Sequence, residues 1–187
     1  MEAREPVSLE DLHLEHPGLS IEGSVMYARA AAVMLAVRHA SPCVCEVQSG
    51  GEGTSMMIAW QEPSAGDHRF LANSIDRTEA GAYSLGLAAA GERLDYVALR
   101  RVAHGLGADW YLVPRGANIP DDPDLDLDRA DLVRLEVSGI AAETDSEMRR
   151  RLMEKMDQLR EAGIPGPGWA AVVGFTLPRV WIDELEV

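Results

Sequence analysis

Apolar residues recur along this chain with two periods, and each change of period marks an element. Val25, Met26, Ala28, Ala32, Val33, Leu35, Ala36 and Val37 form an alanine-rich run that predicts a helix, which Pro42 must end. Residues 43–48 alternate Cys43, Cys45, Val47 against Val44, Glu46, Gln48, and residues 55–61 give a second β-like run around Met56, Met57, Ile58 and Trp60. The Gly-rich stretch 49–54 between them predicts a hairpin; no Gly-Lys-Ser/Thr is present and no helix follows, so a phosphate cradle is not expected.

After a polar loop at 62–70, residues 76–90 open with capping residues and continue with small helix-compatible ones. Gly81 and Gly86 there imply close packing against a sheet. Three β-like segments follow at 96–103, 108–113 and 131–138. Thr144 and Glu147 form a capping box for an amphipathic helix through Met148, Leu152, Met156 and Leu159, ended by Gly163 and Pro165. Residues 169–175 and 179–182 read as final strands around Pro178. The expected class is α/β with a mixed sheet: an N-terminal arm at 1–20, then one domain at 21–187, with a helix and hairpin at 24–61 and the remaining elements at 76–187.

The stretch 131–140 is the candidate for chemistry. Leu132, Arg134, Glu136 and Ser138 share one face of this strand, and Val133, Leu135 and Val137 share the other. A carboxylate in the middle of a central strand must be paired, hydrogen-bonded or bound to a metal. Arg134 is one candidate partner for Glu136; a metal is the other.

Composition narrows the function classes. The chain has 187 residues with 31 acidic and 17 basic side chains, a formal charge of −14. Most of such a surface repels polyanions, so free-standing, salt-driven nucleic-acid binding is not the default. No apolar run approaches the ~20 residues of a membrane helix, and the N-terminus lacks the blocks of a signal peptide, which leads us to expect a cytoplasmic protein. Cys43 and Cys45 are then expected as buried, reduced thiols. His13 and His16 have no neighbouring acid or cysteine cluster to complete a metal site. The acidic stretch 118–128 fails the calcium-loop register, because Leu127 and Val133 stand where glycine and glutamate belong.

The order helix, strand, strand, strand, helix, strand from Thr78 onwards resembles the common core of the restriction-endonuclease-like, PD-(D/E)XK superfamily. The matching acids are Glu79 on the first helix, Asp109 at the start of 108–113, and Glu136 in Glu136-Val137-Ser138. The chain also looks like a group of uncharacterised bacterial proteins with Gly-x-Asp-Tyr/Trp-Tyr/Trp followed by Arg-Leu-Glu-Val-Ser-Gly, here 107–111 and 134–139. The superfamily resemblance implies a Mg²⁺ ion held by Asp109 and Glu136 and a metal-dependent nuclease, or a catalytically degenerate descendant, in a nucleic-acid-processing or defence assembly. The motif lysine is replaced by Ser138, so its positive charge would have to come from Lys155 on the following helix or from Arg134, with Gln158 able to hold a water or phosphate.

Nucleic acid would meet Arg100 together with Arg149, Arg150 and Arg151, delivered with a protein partner; a homo-oligomer is also expected. Two other classes stay open. One is a non-enzymatic interaction subunit that uses the N-terminal helix and hairpin as its interface. The other is a small-ligand domain with an apolar pocket at Trp60, Trp110 or Trp169.

Overall fold

The computed structural model describes residues 5–103, 107–119, 131–163 and 166–185. Among the described residues eight strands form one mixed sheet: β1 (Val7–Ser8), β2 (Cys43–Ser49), β3 (Glu52–Ala59), β4 (Tyr96–Arg101), β5 (Trp110–Pro114), β6 (Val133–Ile140), β7 (Gly168–Gly174) and β8 (Arg179–Glu184). Their spatial order is β1-β3-β2-β8-β7-β6-β5-β4. The helices are α1 (Ile21–Leu35), α2 (Ala65–Phe70), α3 (Ser74–Ala89) and α4 (Asp145–Glu161). The α/β class and the succession α3, β4, β5, β6, α4, β7 expected from the pattern are both present.

The two faces of the sheet are covered differently. Leu135 and Val137 of β6 join Ala171 and Val173 of β7, Trp110 and Leu112 of β5, and residues of α1 and α3 in the main core. On the opposite face Met148, Leu152 and Leu159 of α4 pack on Ala170 and Val172 of β7. The period-2 alternation read along β6 is therefore real, and its polar face is the one turned to α4.

The two glycines of α3 serve different neighbours. A Cβ at Gly81 would lie 3.0 Å from the backbone of Ala31 in α1, whereas one at Gly86 would meet Val137 of β6 at 3.1 Å. Only the second matches the expected packing against a sheet. Two further differences from the sequence pattern are local. The stretch expected as an arm is folded in: Val7 and Ser8 pair with β3, and Leu9 and Leu12 of a 3-10 turn at Leu9–Leu14 are buried. The polar loop at 62–70 contains α2, whose capping box of Ser64 and Asp67 satisfies the first-turn amides of a helix with no buried residue of its own.

β6 is paired unequally. On one side it runs parallel to β7 from Arg134 to Ile140. On the other it meets β5 antiparallel only from Val133 to Leu135. Past Leu135, whose carbonyl accepts the Asp109 amide at 2.9 Å, β5 turns away and the β6 edge enters a fork.

Candidate active site at the fork between two strands

The fork leaves the Val137 amide without a strand partner, and the Asp109 carboxylate takes it up: Val137 N donates to Asp109 Oδ2 at 2.8 Å. The other oxygen, Oδ1, accepts from the Tyr83 hydroxyl at 2.7 Å. The same hydroxyl oxygen lies 2.8 Å from Glu79 Oε1, one turn earlier on α3. Tyr83 is fixed in turn by aromatic packing, its ring centroid 5.3 Å from that of Tyr27 and 6.3 Å from that of Trp110, with the Arg101 guanidinium 4.5 Å above it. Burial and the Asp109 carboxylate push the Tyr83 phenol above its ordinary value, so it remains a hydrogen donor.

Glu136 is almost buried on the α4 face. Its partner is Lys155, whose Nζ stands 2.6 Å from Oε1 and donates also to Gln158 Oε1 at 2.8 Å. Arg134 goes elsewhere, to the carbonyls of Leu159 at 3.3 Å and Gly166 at 3.1 Å. The guanidinium alternative for Glu136 is thus replaced by an ammonium from the next helix. Periodicity placed Lys155 on the charged side of α4, and that side turns one edge into the fork. Burial first, and the nearby Asp109 carboxylate second, raise the Glu136 pKa despite the opposing effect of Lys155. Two carboxylates crowded in this way favour a proton or a cation between them.

Ser138, where the superfamily motif has lysine, receives a hydrogen bond from Arg151 NH1 at 3.2 Å. Glu79, Asp109, Glu136, Ser138, Arg151 and Lys155 all line one open cleft of about 460 Å³, between the start of α3 and the outer edge of α4. Gly139 lets α3 come this close to β6, since a Cβ there would lie 2.5 Å from the Thr78 carbonyl oxygen.

The expected acids are therefore on one cleft, but not as an equal triad. Asp109 and Glu136 are direct neighbours, and Glu79 reaches Asp109 only through the Tyr83 hydroxyl. Among the described residues no group of three or more His, Cys, Asp or Glu is arranged to hold a metal. Two carboxylates are enough for Mg²⁺, which keeps several waters and is commonly held by one or two acids plus substrate phosphate. The donor set is hard oxygen and its crowding is relieved by positive charge, so the residues fit that ion.

Of the expected basic contacts only Arg151 lines the cleft. Arg150 is ion-paired with Glu154, and Arg149 is exposed on α4. Arg100, on β4 in register with Tyr111, is not among the residues that line the cleft. Trp60, Trp110 and Trp169 are buried residues of the main core. The acidic stretch at 120–128, the residues Gly105 and Leu106, and Pro165 lie outside the described residues.

Sequence reasoning missed Tyr83 and the Arg151–Ser138 contact. The spacing of Glu79 and Tyr83, four apart on a helix, was the available signal for the first. Comparisons with protein-family models, curated proteins and solved structures find no match. Among the described residues no helix is long and apolar enough to cross a membrane.

Proposed function

We propose that this chain is a metal-dependent phosphodiesterase of the restriction-endonuclease-like kind, acting on nucleic acid. The observation that carries the reading is the meeting of Asp109, just before β5, with Glu136 of β6 and Lys155 of α4 on one open cleft. The element order from α3 to β7 supports it, as does Lys155, whose ammonium stands beside Glu136 although position 138 lacks the motif lysine.

Asp109 and Glu136 would hold a divalent cation, which when bound supplies Lewis-acid charge to a scissile phosphate and makes water more acidic. The chain does the rest. The Val137 amide and Tyr83 hydroxyl fix both oxygens of Asp109, so the carboxylate meets its ligand already oriented. Lys155, steadied by Gln158, places an ammonium where negative charge grows on the phosphoryl oxygens. Arg151, tethered through Ser138, offers a guanidinium to a flanking phosphate. Arg149, Arg150 and Arg100 serve as outlying contacts, and a basic protein partner offsets the net charge of −14 in bringing the substrate.

The test is cleavage of single- and double-stranded DNA and RNA by the purified chain with Mg²⁺ or Mn²⁺. Glu136→Ala and Lys155→Ala should each lose the activity. Absence of cleavage with every metal and substrate, or undiminished cleavage by Glu136→Ala, would overturn the catalytic reading.

A further inference from the structure

α1 has two faces, and only one is used up by the fold. Ser24, Ala28, Ala31 and Leu35 are buried against the core. On the other side Glu22, Val25, Met26 and Arg29 follow i, i+3, i+4, i+7 spacing and make a single stripe. α2 reaches only the end of the stripe, where Asp67 lies by Arg29, and Leu71, just past α2, packs on Ala30 and Val33. A helix of six residues rises about 9 Å and one of fifteen about 22 Å, so α2 is too short to cover the rest. What remains is a groove of about 330 Å³ lined by the four stripe residues with Phe70 and Leu71. Phe70 is 79% and Met26 40% exposed there.

We propose that this groove is the interface with a second copy of the chain, formed by antiparallel packing of α1 on α1 about a two-fold axis between Val25 and Met26. The stripe is self-complementary in that arrangement. Glu22 meets Arg29 of the second copy, and Val25 meets its Met26, each contact being made twice by symmetry. Parallel packing would set Glu22 on Glu22 and Arg29 on Arg29. Two chains each carrying −14 repel at long range, so their contact needs local opposite charges, and this stripe supplies them around an apolar centre. Within one chain Arg29 lies 3.7 Å from Asp67 yet keeps its side chain 59% exposed, which leaves donors for the incoming carboxylate. Phe70 flanks the seam from α2. This interface is independent of the chemistry of the cleft.

Sedimentation equilibrium of the full chain over a concentration series tests it. The wild type should dimerise, and Glu22→Arg or Arg29→Glu should each raise the dissociation constant roughly tenfold or more by placing like charges together twice. The double charge reversal should restore the wild-type constant, and Phe70→Ser should weaken the dimer. These side chains are exposed, so circular dichroism should report an unchanged fold; Glu22→Arg carries the test even if Arg29→Glu is disturbed by Asp67. A wild type that stays monomeric throughout, a dimer indifferent to both reversals, or a double variant as weak as the single ones would overturn the proposal.

Discussion

At two of the places where the sheet gives out, the fork between β5 and β6 and the outer edge of β4, a side chain takes up a strand amide. At the fork the acceptor is Asp109, 2.8 Å from the Val137 amide. At the edge it is His16 Nδ1, 2.9 Å from the Ala98 amide, with Gly18 donating to the Ala98 carbonyl at 2.8 Å. The surroundings decide what each substitute can do. His16 is sealed, with no measurable exposure, and burial lowers its pKa from 6.5 to about 4, so it is a neutral plug on an otherwise open ladder. Asp109 opens on a solvent-accessible cleft beside a second carboxylate and an ammonium. The same backbone problem is answered once by packing and once by charge, and only the charged answer is available for chemistry.

Several substitutions would separate the two. Asp109→Ala should abolish cleavage as Glu136→Ala does, a loss of at least roughly 10²–10³-fold, the size of losing one preorganised charge-stabilising group. Steady-state rates over a Mg²⁺ series should show the loss, and retention of wild-type rates would end the distinction drawn between fork and edge.

His16 should act on stability alone. The unfolded chain protonates it near pH 6.5 and the folded chain near 4, so between those values the unfolded state binds more protons and stability falls as the pH falls. At about 1.4 kcal/mol per unit the loss reaches about 3 kcal/mol by the lower end of the window. Urea midpoints measured at pH 7 and pH 4 should differ much less in His16→Asn, whose activity at neutral pH should be unchanged.

Gly139→Ala forces a Cβ to 2.5 Å from the Thr78 oxygen, which pushes α3 off β6 and should cost about 1–3 kcal/mol by thermal unfolding. Glu136→Gln should move in the opposite direction. A carboxyl whose pKa is raised by folding contributes stability below its unfolded value and loses it as the pH rises through the folded value, so neutralising Glu136 should raise the metal-free melting temperature near pH 7 while abolishing cleavage. A lowered melting temperature would mean that the Lys155 pair outweighs burial. Arg149→Ala is the smallest change expected: under about 0.5 kcal/mol in stability, and about one unit less of salt slope in nucleic-acid binding.

Local pattern carried the elements far. The capping box of Thr144 and Glu147 places the start of α4, and the alternation along β6 separates Glu136 from Val137. Asp109, Glu136 and Lys155 were all legible as candidates because their residue types and element positions suit one chemistry. Their partners were not legible. Arg134 is two residues from Glu136 and Lys155 nineteen, yet Lys155 makes the contact, because the path of the chain into α4 sets which side of that helix faces the fork. The N-terminal segment misleads in the same way: His16 and Gly18 show no periodicity because they fill the edge of a strand eighty residues on.

What the sequence by itself determined was therefore the short-range part: helix and strand periods, caps, and a carboxylate set in the middle of a central strand. The tertiary structure decided the long-range part, namely where β5 leaves β6. That departure frees the Val137 amide, draws Asp109 beside Glu136, and opens the cleft that Lys155 enters. Strand periodicity is a property of neighbours along the chain, whereas the length of a strand pairing depends on how distant segments compete for the same edge.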